Sequence, residues 1–164
     1  NRIFIVNGFA KGWAMTGWRI GYLSGPEYFI NKAIALQSQS TSNVCSFAQR
    51  GALEALNNSR DCVKKMCEIY NSRRDILING LKNIEGIRLI EPKGAFYAFP
   101  ELDNRLPASI EFSKMALERE GLAVVPGIAF GEDRCIRISC AVANDVIFDG
   151  LKRLESLIQS ILLS

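Results

Sequence analysis

The sequence predicts an α/β chain in two parts: the end of a large α/β domain to about Asn58, then a small α+β domain from residue 59 onward. Three observations carry this. Two short apolar runs near the start, Arg2–Val6 (RIFIV) and Trp18–Leu23 (WRIGYL), read as strands, and helical patterns follow them. The stretch Ser59–Ile84 keeps Val63, Met66, Tyr70, Leu77, Leu81 and Ile84 at helical steps. A helix of that length would run roughly 40 Å, which suits a connector between domains better than the interior of one. Beyond it, short strand-like runs alternate with helices, as an α+β domain requires.

Taken in order, Gly25-Pro26 marks a turn, and Pro26 suits a helix start. Tyr28–Leu36 reads as a helix with Phe29, Ala33 and Leu36 on one face. Ser38–Asn43 (SQSTSN) reads as a polar loop leading into a helix at about Ser46–Leu56. After the long helix, Ile87–Ile90 and Ala95–Phe99 are strand candidates flanking a turn at Pro92-Lys93-Gly94. Ser109 is placed to cap a helix ending at Gly121. Leu122–Val125 and Cys135–Cys140 read as strands, and Asn144 as the cap of a last helix with Ile147, Leu151, Leu154, Leu157, Ile158 and Ile161 inward. No internal repeat is evident.

Composition narrows the function classes. At 164 residues, 48% hydrophobic and 23% charged, the chain can bury a core and is not a disordered type. A net charge of +3 without a basic run points to neither nucleic acid nor a membrane surface. With no histidine, a Ser-His-Asp triad, a Cys-His pair and a histidine metal site are excluded within the chain. Cys45, Cys62, Cys67, Cys135 and Cys140 form no CxxC pair. They read as reduced thiols, which leads to a cytoplasmic setting. No signal peptide precedes the first strand, and no apolar run is long enough to span a bilayer. The chain opens on Asn1 with a strand at once, as a piece of a longer protein would.

The chemistry concentrates in Asn7–Gly21, NGFAKGWAMTGWRIG. Lys11 sits among small and apolar residues, and Arg19 follows eight positions on. A lysine in such company can be a solvated loop residue. Held in an apolar site, it loses charge, becomes a nucleophile and forms a Schiff base with a carbonyl. Arginine offers a planar fork suited to phosphate. An aldehyde-binding amine with a phosphate-binding guanidinium is what pyridoxal 5'-phosphate asks of a protein. A second arginine, Arg137, lies on the Cys135–Cys140 strand, on the face opposite Ile136 and Ile138. The pattern favours an internal Asp or Glu partner for its buried guanidinium. Arg134, ahead of the strand, reads as solvent-facing.

The segment around Lys11 resembles the lysine signature of class I/II aminotransferases: Gly8, Phe9, Ala10, Lys11, Ala14, Met15, Gly17, Arg19 and Gly21 all fit. The loop SQSTSN and the runs PKGAFYAFP, VVPGIAFG and RISCA resemble further family segments in the same order. The resemblance implies the C-terminal part of the fold-type I pyridoxal-phosphate-dependent transferase fold. The activity it implies is an aspartate-type aminotransferase, moving an amino group from an amino acid to a 2-oxo acid, in a homodimer. It implies Lys11 as the catalytic, cofactor-bearing lysine, Arg19 on the cofactor phosphate and Arg137 on the substrate α-carboxylate. Ser40, Thr41 and Ser42 are candidate hydroxyls toward the partner subunit's phosphate, with helix capping as the equal alternative. The aromatics of PKGAFYAFP line the pocket or pack the core, and core packing is the simpler expectation for Phe96, Tyr97 and Phe99 together.

Three departures qualify the resemblance. No residue here matches the family's aspartate at the pyridine nitrogen, nor its other ring-binding residues, so the chain alone is expected to be inactive. Gly8 stands where some relatives carry serine, and Cys140 where the usual residue is tyrosine. A lyase or synthase of the same fold would use the same lysine–arginine pair, and a regulatory domain derived from the fold is the reading from another class.

Overall fold

The computed structural model describes residues 2–163, and the chain divides into two compact units after Met66. The division falls within the long helix α3 (Arg60–Lys82), whose 23 residues give about 35 Å at 1.5 Å per residue. The junction expected at Asn58 lies just ahead of that helix.

In the first unit, β1 (Ile5–Gly8) and β2 (Gly21–Ser24) pair antiparallel, from Ile5 opposite Ser24 to Gly8 opposite Gly21. Both strands lie later than the apolar runs suggest. The pairing ends at two facing glycines, where a Cβ on Gly21 would stand 2.9 Å from the Asn7 carbonyl oxygen. Trp18 falls instead in a 3-10 turn, Thr16–Trp18. Helix α1 (Glu27–Ser40) runs past Leu36 and takes up half of the expected loop. The Ser38 and Ser40 hydroxyls donate to the carbonyls of Ala35 and Leu36 at 2.8 and 3.0 Å, so they extend the helix rather than cap the next. Helix α2 (Ser46–Asn58) lays Ala48 and Ala52 inward. Phe9, Met15 and Ala52 form a small core with Trp13, Ile20 and Ala55 against it. Trp13 Nε1 donates to the Ala55 carbonyl at 3.1 Å and to Ser59 Oγ at 2.8 Å, tying the lysine-bearing turn to α2. Much apolar surface stays exposed, including Val6, Tyr28 and Phe47.

The second unit holds the larger core. Strand β3 (Ile87–Arg88) pairs with β5 (Glu101–Leu102), a strand absent from the sequence reading. Strand β4 (Tyr97–Ala98) pairs with β7 (Ile136–Ser139), which also pairs with β6 (Val125–Pro126), giving a three-stranded antiparallel sheet. The two strand candidates around Pro92–Gly94 therefore do not pair with each other. Helices α4 (Ser109–Glu120) and α5 (Asn144–Leu162) cover this β structure. Leu81, Leu102, Phe112, Ile136, Leu154 and Ile158 interlock in the centre. Ser109 and Asn144 are not caps: Ala108 and Ala143 hold those positions without side-chain bonds. Gly121 does end α4, in the left-handed conformation at φ 61°.

Phe112 is fully buried, so Phe112→Ala should cost about 3–5 kcal/mol, whereas Phe148→Ala, at a half-exposed position, should stay within about 0.5 kcal/mol. Urea unfolding of the two variants checks the assignment of the core, and equal losses would contradict it.

Candidate active site

Lys11 and Arg19 lie on the connection between β1 and β2. Phe9 and Met15, both buried, anchor the turn that carries the lysine. The Phe9 carbonyl accepts from Trp13 N at 3.3 Å and from Met15 N at 3.4 Å, and the Lys11 carbonyl accepts from Ala14 N at 3.3 Å. Ala14 and Arg19 take positive φ of 54° and 51°. Left-handed backbone at residues with a Cβ costs roughly 1–2 kcal/mol each. Strain of this kind gathers where a chain must present side chains in a set way.

Lys11 itself is exposed. Of the apolar side chains near it in sequence, Phe9 and Met15 turn into the small core and Trp13 packs against it. Arg19 is exposed too, with Nη1 donating to the Thr16 carbonyl at 3.1 Å. It lines an open depression of about 600 Å³ with Ala14, Gly17, Trp18, Val44, Cys45 and Phe47. Lys11 is not among the lining residues. Of the candidate hydroxyls, Ser40 is committed to α1, and Ser42 adopts a φ of 59° just beyond that helix. The donor set fits a phosphorylated aldehyde in kind: a solvent-reaching amine, and a guanidinium on the wall of a depression large enough for a small ligand.

Arg137 belongs to the second unit, on β7. Its guanidinium lies between two aromatic rings, 4.4 Å from the centroid of Tyr97 and 4.5 Å from that of Phe130. Among the described residues no carboxylate stands within ion-pair distance of it, so the internal Asp or Glu partner favoured by the pattern is not what holds it. Flat π faces stabilise the cation while its N–H edge stays available to a planar acceptor. Phe99 meets Phe130 edge-on, with centroids 5.9 Å apart. The expectation that Phe96, Tyr97 and Phe99 pack together in the core is corrected. Phe96 packs against the core, Tyr97 stacks on Arg137, and Phe99 reaches the surface. Phe130 was not legible as a site residue. Its signal lay in the VVPGIAFG run, whose last aromatic ends the 3-10 turn Gly127–Phe130.

Arg134 is also corrected. It is half-buried, donating to the carbonyls of Leu102 at 3.0 Å, Leu106 at 3.2 Å and Asp103. It ties the loop ahead of α4 to β7 through both Nη atoms, and its Nε is buried without a partner among the described residues. Cys140 is buried in the core, its N–H donating to the Phe96 carbonyl at 2.9 Å. Among the described residues there is no group of His, Cys, Asp and Glu suited to a metal ion, and no helix long and apolar enough to cross a membrane.

The sequence profile described as aminotransferase class I and II matches residues 1–154. The chain belongs to the class I and II aminotransferase family. It is 41% identical to a probable aspartate/prephenate aminotransferase of Aquifex aeolicus over 98% of its own length and 42% of that protein's. The aspartate aminotransferase of Rhizobium meliloti superposes with a TM-score of 0.91 at 37% identity, covering 97% of this chain and 42% of that one. An aromatic aminotransferase from Pyrococcus horikoshii superposes equally well, TM-score 0.91 at 34% identity, over 98% and 44%. The chain thus spans about two fifths of the length of these aminotransferases, and its α/β fold is the matching part of the fold-type I architecture.

The thiols give a test of the described burial. Cys45, Cys62 and Cys67 are exposed, whereas Cys135 and Cys140 are buried. Burial pushes the latter two thiols above their ordinary value of 9.0. The folded state therefore binds their protons more tightly than the unfolded state. Their contribution to stability is complete below pH 9.0 and is lost as pH rises through the raised values. Alkylation followed by peptide mapping at neutral pH should label the three exposed cysteines first and the two buried ones only on unfolding. Early labelling of Cys140 would contradict its placement.

Proposed function

We propose that this chain is the part of an aspartate-type aminotransferase that supplies the cofactor lysine, a phosphate-binding arginine and the carboxylate-binding arginine. The observation that carries the reading is Arg137: a guanidinium held between two rings, with no described carboxylate paired to it, on a chain that also carries the lysine signature. The names of the relatives, aspartate and aspartate/prephenate aminotransferase, support the substrate class of an amino acid and a 2-oxo acid.

Bound pyridoxal 5'-phosphate supplies the electron sink that makes the substrate α-carbon acidic. The Lys11 amine would hold the cofactor aldehyde before substrate arrives, and once freed would carry the proton away from the substrate α-carbon. Arg19 neutralises the phosphate from the wall of the depression it lines. Arg137 fixes the substrate α-carboxylate with paired N–H donors. Thr41 and Ser42, at the end of α1 and just beyond it, are the remaining hydroxyl candidates toward the partner subunit's phosphate. The reading extends to a homodimer in the cytoplasm, supported by the family resemblance and by the reduced-thiol pattern.

In the full-length protein, Lys11→Ala should abolish turnover. Arg19→Ala should weaken the cofactor, with excess cofactor restoring part of the activity. Arg137→Ala should leave the cofactor bound and lower kcat/KM for the amino acid about 30-fold or more, as losing a charge-paired contact of about 2–5 kcal/mol requires. Steady-state kinetics with aspartate and 2-oxoglutarate, read beside cofactor absorbance, separates the three. Near wild-type transamination by Lys11→Ala would overturn the assignment.

A further inference from the structure

The slot around Arg137 has one face that burial does not secure. Phe130 is 50% exposed, and the ring it meets besides Arg137 is the edge of Phe99. Its place therefore depends on the backbone of the turn Gly127–Phe130. That turn is tied at two neighbouring amides. Gly127 N donates to the Cys135 carbonyl at 2.8 Å, and a Cβ at Gly127 would lie 2.3 Å from the carbonyl oxygens of both Cys135 and Glu132. Ile128 N donates to Ser109 Oγ at 3.2 Å.

Ser109 is an unusual residue for that task. It opens α4 yet caps nothing, and it is fully buried. Its hydroxyl donates to Asp133 Oδ1 at 2.6 Å, its backbone N–H reaches the same oxygen at 3.2 Å, and that N–H also donates to the Asp133 carbonyl at 2.9 Å. With its proton given to Asp133, the hydroxyl keeps its lone pairs for the Ile128 amide. The carboxylate thus decides which way the hydroxyl faces, and the hydroxyl decides where the turn sits. A core serine needs a partner, but it does not need one that pins an amide two residues from a ligand-site ring.

We infer that Ser109 and Asp133 are positioning residues for the substrate-carboxylate site, holding the Gly127–Phe130 turn so that Phe130 keeps the Arg137 guanidinium pressed toward Tyr97. The inference rests on Arg137 being the carboxylate ligand. The chain of contacts is Asp133 to Ser109 to the Ile128 amide to Phe130 to Arg137, all within the second unit. Loosening any link lets the guanidinium leave the plane in which both N–H donors meet a carboxylate.

The test uses the full-length holoprotein, with maleate as a non-reacting dicarboxylate probe. Ser109→Ala and Asp133→Ala should each weaken maleate by about fivefold, the worth of one compromised cation–π contact. KM for the amino acid should rise in step while kcat moves by less than about twofold, the mark of lost binding rather than lost chemistry. Asp133→Asn keeps the Oδ1 acceptor and should retain most of the affinity. Phe130→Leu should weaken maleate alike, and adding Ser109→Ala to it should cost nothing more, because both act through one ring. Lowered Tm with unchanged maleate affinity in Ser109→Ala and Asp133→Ala would reduce the pair to a structural tie and overturn the inference. Full additivity with Phe130→Leu would overturn it as well. If Arg137→Ala leaves maleate affinity intact, the reading of Arg137 fails first; if it destroys affinity while the Ser109 and Asp133 variants bind normally, the inference alone fails.

Discussion

The interaction on which the second unit's chemistry depends is the stacking of Arg137 between Tyr97 and Phe130. A guanidinium on a strand next to a hydrophobic core needs a stabilising neighbour. A carboxylate would provide one and would also occupy the donors. Aromatic faces provide about 0.5–2 kcal/mol each and leave the N–H edge open. The three-stranded sheet makes this possible: β4 pairs with β7 so that Tyr97 lies opposite Ser139, one same-face step from Arg137, and β6 sets Val125 opposite Arg137. The turn after β6 then returns Phe130 to the other face. Arg134 serves the same region differently, closing the loop carbonyls of Leu102, Asp103 and Leu106 onto β7.

The first unit spends its stability differently. Its described core is small, yet it holds three residues with side chains, Ala14, Arg19 and Ser42, in left-handed backbone. Two of them lie in the lysine signature and the third in the polar segment after α1. The tie from Trp13 to Ala55 and Ser59, and the burial of Phe9 and Met15, are what hold that strained turn. Local strain maintained by a few well-placed contacts is the usual state of segments that present reactive side chains. The exposed apolar side chains of β1, β2 and α1 accompany this arrangement, in a chain that spans about two fifths of the length of its relatives.

Long-period patterns were legible in the sequence, and short-range partners were not. The helices α2, α3 and α5 could be placed because apolar spacing over many residues reflects one buried face. The strands were displaced or missed, since two-residue strands such as Glu101–Leu102 carry no period at all. The end of α1 and the role of Ser109 at the start of α4 differ from the sequence reading because serine serves a cap, a back-bond or a distant carboxylate equally well by composition.

The sequence by itself determined the family and the α/β class, and it singled out Lys11, Arg19 and Arg137 as the candidate site residues, because spaced motifs survive in one dimension. Only the tertiary structure decided what surrounds them. That Lys11 stays exposed, that Arg137 is flanked by rings instead of a carboxylate, and that Ser109 reaches Asp133 and Ile128 all depend on segments distant in sequence meeting in space. Such contacts leave no periodic trace, because each is made once, by residues whose types would suit many other neighbours.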